Sequence, residues 1–151
     1  MQKAYKPLRT AVLKYLKTKI TLAKFDKNFL KTIKDYRKIH LAPKEAICYT
    51  ITKGNKKAGI IGFKTKEEGK HFLKIGIHQD YRGQGIFKEA LKLLMKKHKI
   101  KRIYSTVAVA NLASVRAHIK AGFKRLPKKQ EDILKTKGLL LKRNMRLVKK
   151  F

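Results

Sequence analysis

IGIHQDYRGQGI, residues 75 to 86, is the stretch of sequence that decides the fold. Its first residues, Ile75-Gly76-Ile77, are typical of the end of a strand, and a glycine-containing turn then leads into a helix. The first backbone N–H groups of a helix have no partner inside the helix and lie at the positive end of its dipole, which suits a diphosphate. Gly83 and Gly85 let the backbone approach phosphates closely and adopt a positive φ where needed. The stretch therefore predicts a phosphate-binding turn.

Three other interpretations of this turn compete. A dinucleotide-binding fold would have a third glycine, where the chain has Lys88, and an acidic residue at the end of the next strand, which residues 103–110 lack. A P-loop would have Gly-Lys-Ser/Thr after four intervening residues, and the chain has no such sequence here. A plain strand-to-helix turn, in which the glycines serve only the geometry, stays open.

The residues around the turn predict strands and helices. Upstream, residues 46–52, 58–64 and 71–78 are strand-like runs separated by turn residues, and their spacing predicts an antiparallel meander. Downstream, residues 103–109 alternate and are rich in β-branched side chains, which predicts a further strand. The helix between them is expected to place one face inward: Ile86, Ala90, Leu93, Leu94 and Lys97.

A second short helix is expected after residue 110. Asn111 is its predicted N-cap, Val115 and Ile119 are its predicted apolar anchors, and Gly122 stands where a C-terminal cap belongs. The remaining residues then predict a strand over 123–126, a polar loop over 127–137 and a final strand over 139–148.

The N-terminal third is less clearly patterned. Residues 11–20 have helix-like spacing, but residues 20–25 fit a strand equally well. Asp26 is a predicted helix cap, and the helix after it is expected to end at Pro43. The apolar residues of that helix recur at helical intervals: Phe29, Leu30, Ile33, Tyr36 and Ile39. The order β-α-β-β-β-α-β-α-β-β describes a mixed α/β sheet, and the absence of linkers predicts one domain over residues 1–151.

Two motifs give this chain a family resemblance. The segment from Arg82 to Phe87, preceded by the aromatic Tyr81, resembles the acetyl-CoA motif of the GNAT acetyltransferases, Arg/Gln-x-x-Gly-x-Gly/Ala. At the expected distance downstream, the segment from Asn111 to Phe123 is similar to the family's Asn-x-x-Ala/Ser segment, which ends in Gly-Phe. The two motifs cover about a third of the chain, and the strand order agrees with the family.

The resemblance implies a fold, an activity and a set of binding residues. The fold would be α/β, with a mixed, mostly antiparallel central sheet and flanking helices, and the activity would be transfer of an acetyl group from acetyl-CoA to an amine. The turn would hold the coenzyme A diphosphate, strand residues would pair with the pantetheine arm where two strands separate, and the Asn would bind the pantetheine. The residues so implied are Ile75, Gly76, Ile77, Arg82, Gly83, Gln84, Gly85, Ile86, Phe87, Asn111 and Ser114.

The chain departs from the family pattern in three places. Phe87 replaces a Gly or Ala beside the diphosphate, so its ring either packs inward or narrows the site. His118 stands where a Tyr acting as general acid is common, and it is the candidate acid, with a surface histidine as the alternative. Thr106 occupies the position at which one branch of the family has a carboxylate. For Asn111, a role as helix cap and a role in pantetheine binding are both expected.

The proposed chemistry requires a base that the sequence does not identify. An ammonium has no lone pair, and a free lysine with a pKa of about 10.4 is almost wholly charged at neutral pH. A proton must leave before the nitrogen attacks the thioester, and a backbone N–H on the third strand of the meander is expected to stabilise the oxyanion. The base candidates are His71, His78 and Tyr104, whereas Glu67 and Glu68 are expected to be solvated in a turn.

The bulk composition sets limits on partners and location. The 41 Lys and Arg against nine Asp and Glu give a formal charge of +32, which attracts polyanions such as RNA or the ribosome, although a Lys-rich proteome would give the same count. No signal peptide and no apolar run of membrane-spanning length is found, so a cytoplasmic location is expected. The single cysteine, Cys48, excludes a four-cysteine zinc site, and no metal is expected. A non-catalytic acetyl-CoA- or nucleic-acid-binding module on the same fold is the alternative function.

Overall fold

The structure, a computed structural model, describes residues 2–41 and 45–151. Those residues form five α-helices and seven β-strands, with short 3₁₀ turns at Tyr36–Ile39 and Gln79–Tyr81. The helices are α1 Gln2–Thr18, α2 Lys27–Leu30, α3 Ile86–Lys97, α4 Leu112–Lys120 and α5 Lys128–Thr136. The strands are β1 Ile20–Lys24, β2 Ala46–Lys53, β3 Lys56–Lys66, β4 Lys70–Ile77, β5 Arg102–Ala108, β6 Lys124–Arg125 and β7 Asn144–Lys150.

The strands form one sheet in the order β1-β2-β3-β4-β5-β7-β6. All neighbouring pairs are antiparallel except β4 and β5, which are parallel. These two strands form a single ladder pair, between Phe72 and Tyr104. Beyond that pair, residues 73–77 of β4 and 105–108 of β5 have no ladder between them, and we call this separation the interstrand gap. The expected mixed, mostly antiparallel α/β fold is confirmed.

The two faces of the sheet carry different cores. On one face, α3 and α4 enclose the larger core, in which Leu91, Leu94 and Ile103 are fully buried. On the other face, α2 and the 3₁₀ turn after it cover Ile60 with a smaller cluster around Leu30 and Ile33. The fold thus places both long helices of the predicted motifs on the same side of the interstrand gap.

The N-terminal elements differ from the expectation in one helix. The helix and the strand expected near residue 20 are both present, because α1 ends at Thr18 and β1 begins at Ile20. Asp26 caps α2 as predicted, through Oδ1 and the N–H groups of residues 28 and 29. The helix expected to run to residue 43 is wrong: it stops after Leu30, and Asp35 and His40 adopt left-handed φ values of 63° and 50°, which a continuous helix does not allow. Pro43 lies outside the described residues.

The C-terminal expectations need three corrections, of which the first concerns the final strand: it was expected over 139–148, but β7 begins only at Asn144. The polar loop predicted over 127–137 is helix α5, which is held beside β7 because the buried Glu131 carboxylate accepts from Arg125 and from the backbone N–H of Arg146. In α4, Val115 packs on the core as expected, but Ile119 is 58% exposed and His118 takes the inward position. The sequence pattern missed this inversion because an imidazole does not count as an apolar anchor.

Helix α1 lies outside both cores over its described side chains. Residues 8–19 are all exposed, including the apolar Leu8, Val12 and Leu16. Within the described chain no helix combines the length and the hydropathy that crossing a membrane requires.

Candidate active site

The turn between β4 and α3 is fixed to its surroundings by side-chain hydrogen bonds. Nδ1 of His78 accepts from the backbone N–H of Asp80 at 3.1 Å, which starts the 3₁₀ turn. The Arg82 Nε donates to the Ile77 carbonyl at 3.0 Å and closes the loop back onto the strand. Gln79 exchanges hydrogen bonds with the backbone of residues 32 and 34. The turn is therefore held in place on both sides before any ligand binds.

The start of α3 leaves its first amides without a side-chain cap. Gly83 and Gly85 have φ values of 77° and 74°, and a Cβ at either position would meet no atom within 4 Å. Glycine is thus favoured at both positions by the left-handed backbone and not by a lack of space for a side chain. Gly85 is the N-cap and provides no side-chain acceptor. The exposed helix start combines free N–H groups with the positive end of the dipole of a 12-residue helix, which is the arrangement that binds phosphate.

The Phe87 ring packs toward α4. Its centroid lies 4.9 Å from that of His118 at 73° and 6.3 Å from that of Phe123 at 88°, both edge-to-face arrangements. Such geometry is favoured between aromatic rings, so the large side chain in the family's Gly/Ala position is accommodated between the two helices. Of the two outcomes expected for this ring, the packing is inward.

The β4 edge of the interstrand gap carries the three predicted strand residues. Ile75 and Ile77 pack into the core beneath α3. Gly76 points to the other face, where a Cβ would lie 2.3 Å from Cδ1 of Ile39. Gly76 is therefore required by the close approach of the 3₁₀ turn Tyr36–Ile39, which covers this part of β4.

The start of α4 lies across the gap and is capped by its own chain. Oδ1 of Asn111 accepts from the backbone N–H of Ser114 at 3.2 Å, so the predicted N-cap is present. The cap uses only the oxygen of the amide, and Nδ2 is left as a donor. The carbonyl of Ser114 is in turn occupied, because it accepts from Nδ1 of His118 at 2.7 Å.

His118 is enclosed between α4, β5 and α3. The residue is only 3% exposed, and its ring lies against those of Phe87 and Phe123. Both ring nitrogens have partners: Nδ1 donates to Ser114 O, and Nε2 accepts from Ser105 Oγ at 2.8 Å. Burial lowers its pKa from the usual range, so the ring is neutral near pH 7. The alternative of a surface histidine is wrong. The role of general acid is disfavoured by this geometry, because neither nitrogen is free to meet a thiolate.

The sequence matches the family model described as an acetyltransferase (GNAT) domain over residues 7–124. The chain belongs to the GNAT acetyltransferase family. The matched range contains the turn before α3, the interstrand gap and both helix starts. No curated protein sequence matches the chain.

Solved structures with the same fold include acetyltransferases crystallised with the coenzyme. A Bacillus subtilis acetyltransferase in complex with CoA is 17% identical, with a TM-score of 0.59 over 88% of this chain and 98% of that chain. A putative streptothricin acetyltransferase from Bacillus anthracis in complex with acetyl coenzyme A is 16% identical, with a TM-score of 0.59 over 89% and 99%. A Salmonella typhimurium acetyltransferase that modifies the N-terminal serine of a 50S ribosomal subunit protein is 20% identical, with a TM-score of 0.56 over 71% and 64%. These likenesses establish the fold.

The position at which one GNAT branch has a carboxylate is the exposed Thr106, which contacts the buried guanidinium of Arg146. Thr106 Oγ1 accepts from Arg146 Nε at 3.0 Å, and Arg146 Nη1 donates to Glu67 Oε2 at 2.9 Å. Arg146 is 2% exposed and its guanidinium lies 4.7 Å from the centroid of Phe72. The expectation that Glu67 is solvated is wrong, because its side chain is only 12% exposed, whereas Glu68 is exposed. A carboxylate thus lies near Thr106, but it neutralises an arginine.

The three base candidates lie in different places. His71 Nδ1 bonds Thr65 Oγ1 at 2.9 Å, on the β3–β4 hairpin. His78 starts the 3₁₀ turn and stacks on Phe29. Tyr104 stands in the ladder pair that closes the interstrand gap. Of the three, Tyr104 alone borders the closed end of the gap.

Three residues at the site were missed by sequence reasoning. Arg146 and Ile39 come from elements distant in the sequence, so no local sequence pattern predicts that they lie at the site. Lys74 had a signal: it is a charged residue inside a strand whose neighbours are apolar. It is half-buried, and burial, with Lys66 and Lys64 nearby, lowers its pKa. The described part of the chain contains no group of three or more His, Cys, Asp or Glu side chains placed to hold a metal ion.

Proposed function

We propose that this GNAT protein is an N-acetyltransferase that moves the acetyl group of acetyl-CoA directly to a primary amine of a protein, an aminoacyl-tRNA or a small molecule. The observation that carries the proposal is the start of α3, where two left-handed glycines present uncapped amides at the open end of the interstrand gap. A diphosphate bound there would place the rest of the coenzyme in line with the gap. The proposed unit is a single domain of residues 1–151.

The predicted binding residues other than Arg82 and Ser114 have a proposed contact with the coenzyme. The backbone from Gly83 to Phe87 would bind the diphosphate, while the side chain of Arg82 keeps the turn closed and the side chain of Gln84 is held by Lys53. The pantetheine would add along the unpaired edge of residues 75–77, as an extended chain adds to a sheet edge. Nδ2 of Asn111 would donate to it, and Ser114 would stay the partner of the Asn111 cap.

The transfer itself needs few groups from the protein. A neutral amine attacks the thioester carbon, the carbonyl oxygen becomes an oxyanion beside a β4 N–H, and collapse expels the thiolate as the C–S bond breaks. One proton leaves the nitrogen and one is taken up by the thiolate, through water or Tyr104 at the closed end of the gap. His118 is proposed to act as a neutral positioning residue, which joins β5 to α4 and thereby orients Asn111.

A direct test separates binding from chemistry. Calorimetry with acetyl-CoA should give a saturable 1:1 isotherm, and free thiol should then be released when primary amines are added. The protein without added coenzyme provides the baseline. Absence of acetyl-CoA binding would reject the proposal at its first step.

A non-catalytic acetyl-CoA- or nucleic-acid-binding module is the second candidate. It is favoured by Thr106 in place of a carboxylate and by the enclosed His118. Both candidates bind acetyl-CoA, so the thiol-release assay over a panel of amines decides between them. No release above the rate of spontaneous hydrolysis supports the second candidate.

Partners and location are proposed on charge. The formal charge of +32 supports contact with RNA or the ribosome, and one protein of the same fold modifies a ribosomal protein. We place the protein in the cytoplasm, where aminoacyl-tRNA and ribosomes occur. Acetyl transfer to aminoacyl-tRNA, and its loss as salt is raised, would test this contact.

A further inference from the structure

Lys74 occupies a particular place at the interstrand gap. It lies on β4 opposite Gly62 of β3, two residues beyond Phe72, the last β4 residue paired with β5. Side chains alternate along a strand, so Lys74 shares a face with Phe72 and Gly76. That face is opposite to the core beneath α3, which contains Leu73 and Ile75. Lys74 is thus the first residue of this face beyond the closed end of the gap, and Ile39 covers the next one, Gly76.

This place is near the reacting end of the coenzyme, if the proposed function holds. The diphosphate would bind at the start of α3, after Ile77, so the arm would run from Ile77 toward Phe72 and bring the thioester to the closed end. Helices α3 and α4 occupy one face of the gap, and the acceptor is therefore proposed to approach on the other face, beside the part of β4 that Ile39 covers. Lys74 stands on that approach.

The charge of Lys74 has no counterion in the described chain. Two lysines of the neighbouring strand β3 differ: Lys64 pairs with Glu45, and Lys57 pairs with Asp26. The nearby guanidinium of Arg146 is neutralised by Glu67. No carboxylate of residues 2–41 or 45–151 pairs with Lys74 in the same way.

The neighbouring thiol does not supply the missing charge either. Cys48 lies on β2 beside Gly62, and burial raises the pKa of its thiol to about 11, so it is neutral at physiological pH. A half-buried ammonium without an anion is unfavourable, and here burial and two lysines lower its pKa. An anionic group of a ligand would relieve this cost.

We infer that Lys74 binds an oxyanion, a carboxylate or a phosphate, that stands beside the amine of the acceptor. This inference rests on the proposed function and narrows its acceptor to small zwitterionic amines. Such an acceptor brings its own negative charge into a site that otherwise repels the ammonium group. Polyamines and lysine side chains, which lack the anion, are excluded by the same charges.

The test uses products, so that it does not depend on turnover. Calorimetry measures the binding of two pairs of compounds to the CoA-saturated protein. The carboxylate pair is anionic N-acetylglycine and neutral N-acetylglycinamide. The phosphate pair is anionic N-acetylated phosphoethanolamine and neutral N-acetylethanolamine. The wild type should prefer the anionic member of at least one pair by about tenfold. The pair with the larger ratio identifies carboxylate or phosphate as the recognised group.

Variants assign the preference to Lys74. Lys74→Met should reduce the ratio to about twofold or less, and Lys74→Gln repeats the test with a polar side chain. The matched control is Lys70→Met, which removes one exposed lysine from the same strand and face and should keep the wild-type ratio. Equal binding of both members, no binding of either, or an unchanged ratio in Lys74→Met would each overturn the inference.

The affinity for acetyl-CoA distinguishes the two proposals. Lys74 contacts no part of the proposed diphosphate site, so Lys74→Met should bind acetyl-CoA within about twofold of the wild type. If the wild type binds no acetyl-CoA, the proposed function fails. If it binds acetyl-CoA but shows no preference between products, only the inference about Lys74 fails.

Discussion

Helices α3 and α4 begin at the same end of the sheet, after the two parallel strands that border the interstrand gap, yet their first turns differ. At α4, Asn111 supplies a carboxamide oxygen to the N–H of Ser114. At α3, the corresponding position is Gly85, which has no side chain to offer and a φ of 74°. One helix start is completed by its own chain and the other is left incomplete.

This difference separates a structural helix start from one available to a ligand. A glycine at the N-cap costs only about a few tenths of a kcal/mol relative to a capping side chain, and α3 has Gly85 there. The loss is offset by the packing of α3, whose inward residues Ala90, Leu91 and Leu94 are fully buried. A well-packed helix with uncapped amides in open space is the arrangement that the proposed binding of the coenzyme requires.

The largest effect is expected when α3 is given a carboxylate at its start, as in Gly85→Asp. The side chain would lie beside the amides and repel a diphosphate, so acetyl-CoA affinity should fall at least about a hundredfold, or about 2.7 kcal/mol. Calorimetry measures the loss. The matched control is Gly138→Asp, because Gly138 also has a positive φ of 73° in open space, but at the end of α5. A similar affinity loss in both variants would place the phosphate site elsewhere.

The second effect concerns His118, which connects the two helix regions through Phe87 and Ser114. His118→Ala should lower the free energy of unfolding by about 2 to 3 kcal/mol, because it removes ring packing and leaves the buried Ser105 hydroxyl without its partner. Chemical denaturation measures the change. Unchanged stability combined with lost turnover would instead restore the role of general acid.

The pH dependence of stability provides the control for this variant. Burial lowers the pKa of His118 in the folded state, so the unfolded chain takes up a proton near its ordinary value of about 6.5 while the folded chain does not. Stability of the wild type is therefore lost as pH falls below about 6.5. His118→Ala should show a smaller loss over that interval, whereas Ile119→Ala, at the exposed neighbouring position, should follow the wild type.

The sequence predicted the parts of the fold that rest on local chemistry. The turn before α3 was evident from Gly83 and Gly85, and the caps of α2 and α4 were evident from Asp26 and Asn111. Each of these depends on backbone conformation or on a hydrogen bond within three residues. Such features are encoded where they occur, so a single sequence suffices to find them.

The parts that were missed depend on residues distant in the chain. The segment 127–137 was expected to be a loop because its composition is polar, but Glu131 makes it a helix beside β7 through contacts with Arg125 and Arg146. The enclosure of His118 likewise requires Ser105 on another element. Periodicity counts apolar residues, and it cannot find a buried polar residue whose partner comes from elsewhere.

The smallest effect tests whether Asn111 does more than cap α4. Asn111→Ala removes the cap and should cost about 1 kcal/mol of stability, whereas Asn111→Asp keeps the accepting oxygen and should be nearly as stable as the wild type. If Nδ2 also binds the pantetheine, both variants lose that donor and acetyl-CoA affinity should fall about threefold to tenfold in each. Thermal unfolding and calorimetry separate the two roles. Wild-type affinity for acetyl-CoA in Asn111→Asp would show that Asn111 only caps α4. The start of α3 would then be the one helix start that binds the coenzyme, and the start of α4 would only border it.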